Sequence, residues 1–133
     1  MSRVSIVKTN LKYPSDFYPP NNYPEFSEKI KFAKYKKENH IYAAVRKSLH
    51  LLNFDGKNFG QRNWNPLKYL IKKGDTVLNK TNLVRHYSGL KNGKLEELIT
   101  NSSIIRAIFD YVALALEYEG TIIIYLEGRK IPY

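Results

Sequence analysis

The run Thr121-Ile122-Ile123-Ile124-Tyr125-Leu126 constrains the fold more than any other stretch. It is apolar at successive positions, so both of its faces are apolar. A strand of that kind belongs in a sheet covered on both sides, which is the habit of parallel sheets. Glu119-Gly120 separates it from a helical pattern running from about Ser102 to Tyr118. Ile105, Ile108, Phe109, Val112, Ala115 and Leu116 form the buried stripe of that helix, and Ser102 or Ser103 supplies its cap. Helix followed at once by a doubly apolar strand is the second half of a βαβ unit.

The first half is legible upstream. Ile41, Val45, Leu49 and Leu52 fall on one face of a helix from about His40 to Leu52, with Asn39 as its cap. Arg46, Lys47 and His50 lie off that stripe. Gly74 precedes a second strand, Asp75–Lys80, and Val4-Ser5-Ile6-Val7 alternates as a first strand. The order predicts one α/β domain over residues 1–133. It is a βαβαβ unit with a three-stranded parallel sheet, two main helices and long loops. The loops are Asn10–Asn39, Asn53–Asn65 and Thr81–Asn101. Pro14, Pro19, Pro20 and Pro24 forbid a long helix in the first. Asp55-Gly56-Lys57-Asn58 marks a turn in the second, which also holds Trp64. Pro66 opens a short helical turn over Leu67–Ile71.

Composition narrows the chemistry. There is no cysteine, so disulfides, thiolate metal sites, iron–sulfur ligation and a cysteine nucleophile within this chain are excluded. Residues 1–8 lack the apolar core of a signal peptide. No run approaches the roughly 18 apolar residues that span a bilayer. The expected location is cytoplasmic. The net charge is +10, which invites a polyanion partner, but lysine far outnumbers arginine, the better phosphate fork.

Several landmarks then fall in order: Ile41-Tyr42-Ala43-Ala44-Val45-Arg46, Leu51-Leu52-Asn53-Phe54-Asp55, Trp64-Asn65-Pro66-Leu67, Ile71-Lys72-Lys73-Gly74-Asp75-Thr76-Val77-Leu78, Lys80-x-Asn82-Leu83-Val84 and Ser103-Ile104-Ile105-Arg106-Ala107. This series resembles the N-terminal part of the bacterial and archaeal family called domain of unknown function 362, in the branch found among cell-surface polysaccharide genes. The resemblance implies an α/β fold and carries no catalytic assignment, because the family's activity is not settled. Members are usually far longer, and some carry ferredoxin-type cysteine clusters. Three departures stand out. Thr81 replaces the proline of a Lys-Pro-Asn pattern, Asn79 stands in an otherwise apolar strand, and Tyr125-Leu126-Glu127-Gly128 replaces a small residue followed by Asp and Pro. Glu127 is the candidate for the displaced acidic role. The resemblance therefore implies a truncated or degenerate member.

Ligands in open α/β sheets sit beyond the carboxyl ends of the strands. Lys80 and Asn82 are at such an end, one a point charge and the other a donor and acceptor. Thr100-Asn101-Ser102-Ser103 opens a helix whose amides suit an anion, with Arg106 one turn in. These residues define a tentative anion site; ordinary capping is the competing reading of the same helix start. His40, His50 and His86 are scattered and lack metal spacing. Lys29, Lys31, Lys34, Lys36 and Lys37 interleave with Ile30, Phe32 and Tyr35, a pattern open to nucleic acid or to a solvated loop. Three functions follow: a family member without complete catalytic machinery, an anion- or phosphate-binding part of an enzyme completed by a partner, and a basic nucleic-acid-binding module. No cofactor is indicated. The exposed edges of a small sheet call for self-association or a partner chain.

Overall fold

The computed structural model describes residues 3–9, 13, 22–23, 26–28, 30, 34–35, 40–83 and 100–128. Two short strands, β1 (Asn22–Tyr23) and β2 (Lys34–Tyr35), pair in parallel. Helix α1 spans His40–Leu51. Strand β3 spans Thr76–Leu83, helix α2 Ser102–Ala115 and strand β4 Thr121–Gly128. The chain is mixed α/β, with two helices and a parallel pair, β3–β4, in register from Thr76↔Thr121 to Leu83↔Gly128.

The sheet differs from the expected three strands. Residues 3–9 form no strand, and Val4 and Ile6 stand 86% and 87% exposed. Ser5 bonds instead to Ser48 of α1, Oγ to Oγ at 2.6 Å. Alternation alone does not make a strand; a partner edge must meet it. Strand β3 also runs further than Lys80. Thr81, Asn82 and Leu83 have weak strand signals, but the ladder with β4 carries them.

Both helices end alike. At α1, Asn53 adopts φ 63°. The Asn53 amide donates to His50 O and the Phe54 amide to Leu49 O, at 2.7 and 3.2 Å. At α2, Glu117 adopts φ 54°. The Glu117 and Tyr118 amides donate to Leu114 O and Ala113 O, at 3.1 and 2.9 Å. This paired closure satisfies the last carbonyls of each helix. The second closure stops α2 at Ala115, short of the expected Tyr118. Gly120 then enters β4 at φ 150°; a Cβ there would meet Asp75 O at 2.7 Å and Leu116 Cδ2 at 2.8 Å.

At the start of α2, the cap is Asn101 rather than Ser102 or Ser103. Its side chain accepts from the Ser103 amide at 2.9 Å. The cap proposed for α1, Asn39, lies outside the described residues.

The core sits between the helices and the Asn53–Ile71 loop. Tyr42 and Leu49 of α1, Ala107 and Tyr111 of α2, Ile30 and Trp64 are buried together, with Phe26, Val45, Phe54, Phe59, Leu67 and Leu114 around them. The Trp64 indole donates to Phe54 O at 3.0 Å. Its ring meets Phe59 and Tyr111 edge-on, at 5.1 and 5.5 Å between centroids. The expected helical turn after Pro66 is present as a single turn, with the Leu70 and Ile71 amides on Leu67 O.

Candidate functional site

The end of β3 and the start of α2 are fastened to each other. The Thr100 amide donates to Asn82 O at 2.9 Å, and the Asn82 amide donates to Thr100 Oγ1 at 3.1 Å. Below this clasp, Thr81 is buried and its hydroxyl donates to Tyr125 O at 3.3 Å. The two strand ends and the helix start therefore form one corner, as expected for a βαβ crossover.

Five candidate residues can now be placed. Asn82 is exposed and shares the corner with Ser102 and Ser103. Lys80 lies two residues back along β3, exposed, beside Tyr125 in the ladder. Arg106 is one turn into α2, where its Nε donates to Asp110 Oδ1 at 2.9 Å along the same helix. The amides of this corner are already engaged. Ser103 N goes to Asn101 Oδ1, and Ile104 N and Ile105 N go to Asn101 O at 3.0 and 3.2 Å. Capping has won the backbone donors. What remains is side-chain chemistry. Ser103 is only 2% exposed, and its hydroxyl makes no hydrogen bond among the described residues. The Thr100 hydroxyl oxygen accepts from Asn82, which leaves its proton to donate.

No protein-family model matches the chain, and no curated protein or solved structure matches it either. The corner is thus read from its own geometry.

The histidines stand apart. His40 opens α1, His50 stacks on Phe59 at 3.6 Å, and His86 lies outside the described residues. Among the described residues, no cluster of three His, Cys, Asp or Glu suits a metal ion. Of the basic run, Lys29, Lys31, Lys36 and Lys37 lie outside the described residues, and Lys34 belongs to β2. No helix among the described residues is long and apolar enough to cross a membrane.

The strongest electrostatic feature was missed in the sequence. Glu28 is fully buried. It accepts from Arg46 Nε at 2.6 Å, from Arg46 Nη2 at 2.9 Å and from the Tyr111 hydroxyl at 2.9 Å. The guanidinium also lies over the rings of Phe26 and Phe59, both at 4.4 Å, and Trp64 at 5.0 Å. Burial alone would pull the Arg46 guanidinium down, but the Glu28 carboxylate outweighs it and holds the group above its ordinary value. Burial, with the Glu28 charge and hydrogen bond, pushes the Tyr111 phenol far up. The Glu28 carboxylate is held by groups from both helices, Arg46 of α1 and Tyr111 of α2, so the cluster fastens the fold. The one available signal was a lone arginine off its helix stripe, in a chain dense with aromatic residues.

A second carboxylate organises the Asn53–Ile71 loop. Asp55 sits at φ 51° and accepts from Asn58 Nδ2, the Asn65 amide and Lys68 Nζ, at 2.8, 3.0 and 2.7 Å. Burial raises its carboxyl, but the Asn65 amide, Lys68 and Asn58 together hold it below its ordinary range. A depressed value stabilises the fold above the unfolded value, about 4, and the contribution is lost as pH falls through the folded value. Urea midpoints of the wild type and Asp55→Asn should therefore differ by a constant amount above about pH 5 and converge below about pH 4. A gap that persists unchanged into acid would show that the carboxylate charge is not what holds the loop.

Proposed function

We propose that this chain is a non-catalytic α/β module that holds a small oxyanion, a phosphate or a carboxylate, where β3 meets α2. The observation that carries this reading is the reciprocal Thr100–Asn82 clasp, which fixes the strand end against the first turn of α2. The Ser103 hydroxyl is buried in that turn. An unpartnered buried hydroxyl costs about 1–3 kcal/mol, a cost a bound acceptor removes. Thr100, Ser103 and Asn82 supply neutral donors, Lys80 and Arg106 are the charges nearest to them along their own elements, and the positive end of the α2 dipole favours an anion. The resemblance to domain of unknown function 362 adds weight, because its Lys-x-Asn landmark falls on Lys80 and Asn82. On this reading the chain is a degenerate member of that family. The complete βαβαβ unit belongs to the same proposal, with Val4–Val7 as a third parallel strand on a free edge of the β3–β4 pair.

Thermal denaturation in rising phosphate, at ionic strength held constant with chloride, tests the site. The wild type should gain stability that saturates. Ser103→Ala should melt higher than wild type without phosphate, because the unpaired hydroxyl is gone, and should lose the phosphate-dependent rise. An equal rise in both proteins, or none in the wild type, would refute the site. Amide exchange in the same samples reports on the third strand. Slow exchange at alternate residues of Val4–Val7 supports it, and exchange at coil rates throughout removes it.

A further inference from the structure

The Asn53–Ile71 loop folds around an open cavity of about 290 Å³. Phe54, Pro66, Tyr69 and Leu70 supply its apolar walls, and Asp55 and Lys57 bring charge to it. The walls rest on groups that the loop already holds in place. Pro66 is fully buried, Asp55 is fixed by Asn58, the Asn65 amide and Lys68, and Leu70 stands on the single turn closed at Leu67 O. Lys68 Nζ also lies 5.0 Å from the centre of the Tyr69 ring, so the cation that holds Asp55 steadies this ring as well. Tyr69 and Leu70 are nonetheless 70% and 66% exposed. Two large apolar side chains in succession, bared along one concave wall, differ from apolar residues scattered singly over a surface.

Charge and size define the occupant. The Asp55 carboxylate is buried and answered by Lys68, so that pair brings no net charge. Lys57 is exposed and meets no carboxylate among the described residues. One cation is therefore left over beside an apolar cavity. Apolar walls with a few placed polar groups are the pattern of small-molecule sites. The volume equals that of on the order of ten water molecules, which suits one ring with a short acid attached.

We propose that this cavity binds a small aromatic carboxylate, its ring against Tyr69, Leu70 and Pro66 and its carboxylate on Lys57. The exposed Tyr69 ring offers a stacking face, and the lysine ammonium is a point charge that needs no fixed geometry. A neutral ring compound leaves Lys57 unanswered, and a small acid without a ring leaves the walls wet. The cavity is open and its ammonium is solvated, so binding is weak, with a dissociation constant on the order of 1 mM.

Amide proton–nitrogen spectra of the full chain, titrated with phenylacetate, phenylacetamide and acetate, test the proposal. Phenylacetate should move the amide signals of Asp55, Gly56, Lys57, Tyr69 and Leu70 along one saturating curve. Phenylacetamide lacks the charge and should bind several-fold more weakly. Acetate lacks the ring and should not saturate in the same range. Lys57→Glu should weaken phenylacetate several-fold and leave phenylacetamide unchanged, whereas Tyr69→Ala should weaken both. Both side chains are exposed, so both variants should keep the wild-type spectrum outside the loop. No saturable shift at these residues overturns the proposal. So does phenylacetamide binding as tightly as phenylacetate, or phenylacetate binding that ignores either substitution. Shifts confined to Asn82 and Thr100–Ser103 also overturn it, because they put the acid at the β3–α2 corner. The phosphate titration reads that corner separately, so either reading can fail alone.

Discussion

Trp64→Ala should remove about 3–5 kcal/mol of stability, the range for deleting a large buried aromatic side chain. A domain of this size holds only about 5–15 kcal/mol in total. The substitution therefore consumes a large share of it and lowers the melting temperature by on the order of 10–20 °C. Trp64 is fully buried. It touches Phe59 and Tyr111, and its indole donates to Phe54 O. Alanine leaves a cavity and an unpaired carbonyl, and it uncouples the Asn53–Ile71 loop from both helices. Urea unfolding followed by far-ultraviolet dichroism measures the loss. A loss below about 1 kcal/mol would mean that the loop collapses into the gap and that Trp64 is not the centre of the core.

Arg46→Met should cost about as much, roughly 3–5 kcal/mol, by stranding a buried carboxylate. Among the described residues, Glu28 would keep the Tyr111 hydroxyl at 2.9 Å and the Ser27 hydroxyl at 3.5 Å, neither of them charged. Methionine replaces much of the apolar stem packed among Phe26, Phe59 and Trp64, so the loss reports on the charge more than on volume. Adding Glu28→Leu to Arg46→Met removes the stranded charge and should recover most of the stability, because apolar replacements of a whole buried pair are often neutral. A double variant as unstable as the sum of the two single changes would show that the residues act independently. The four-protein urea cycle decides between these outcomes.

Much of the architecture was legible because it depends on local periodicity. The α1 stripe is buried at Ile41 and Leu49 and the α2 stripe at Val112, Ala115 and Leu116, but Ala107 and Tyr111, outside the expected stripe, are fully buried while Ile105, Ile108 and Phe109 are only partly so. The β3–α2–β4 crossover is parallel as its order requires. Cap choice was less legible, because Asn101, Ser102 and Ser103 can all cap. The extended backbone of Asn101, φ −64° and ψ 141°, selects it. Periodicity also cannot say whether a second layer exists. Ile123 reads as buried and is half exposed. The candidate corner was partly legible. Sequence reasoning brought Asn82 near Ser102 and Ser103, but it could not see that Asn101 takes the amides or that Arg106 turns to Asp110. Glu28, Arg46 and Tyr111 were illegible for a different reason. Their encounter joins residues 83 positions apart, and no spacing rule reaches that far.

The Glu28 fastening also bears on how the chain can change over time. It pins the stretch between Asn10 and Asn39 at a point beside the buried Ile30 and between the paired strands β1 and β2. Closing a loop grows dearer only slowly, by about 0.6 kcal/mol for each doubling of length. A change of length is therefore cheap only where it leaves such anchors in place, and the Glu28 anchor itself is not cheap to lose. What a related chain has to keep is a carboxylate that still arrives between the arginine of the first helix and the tyrosine of the second.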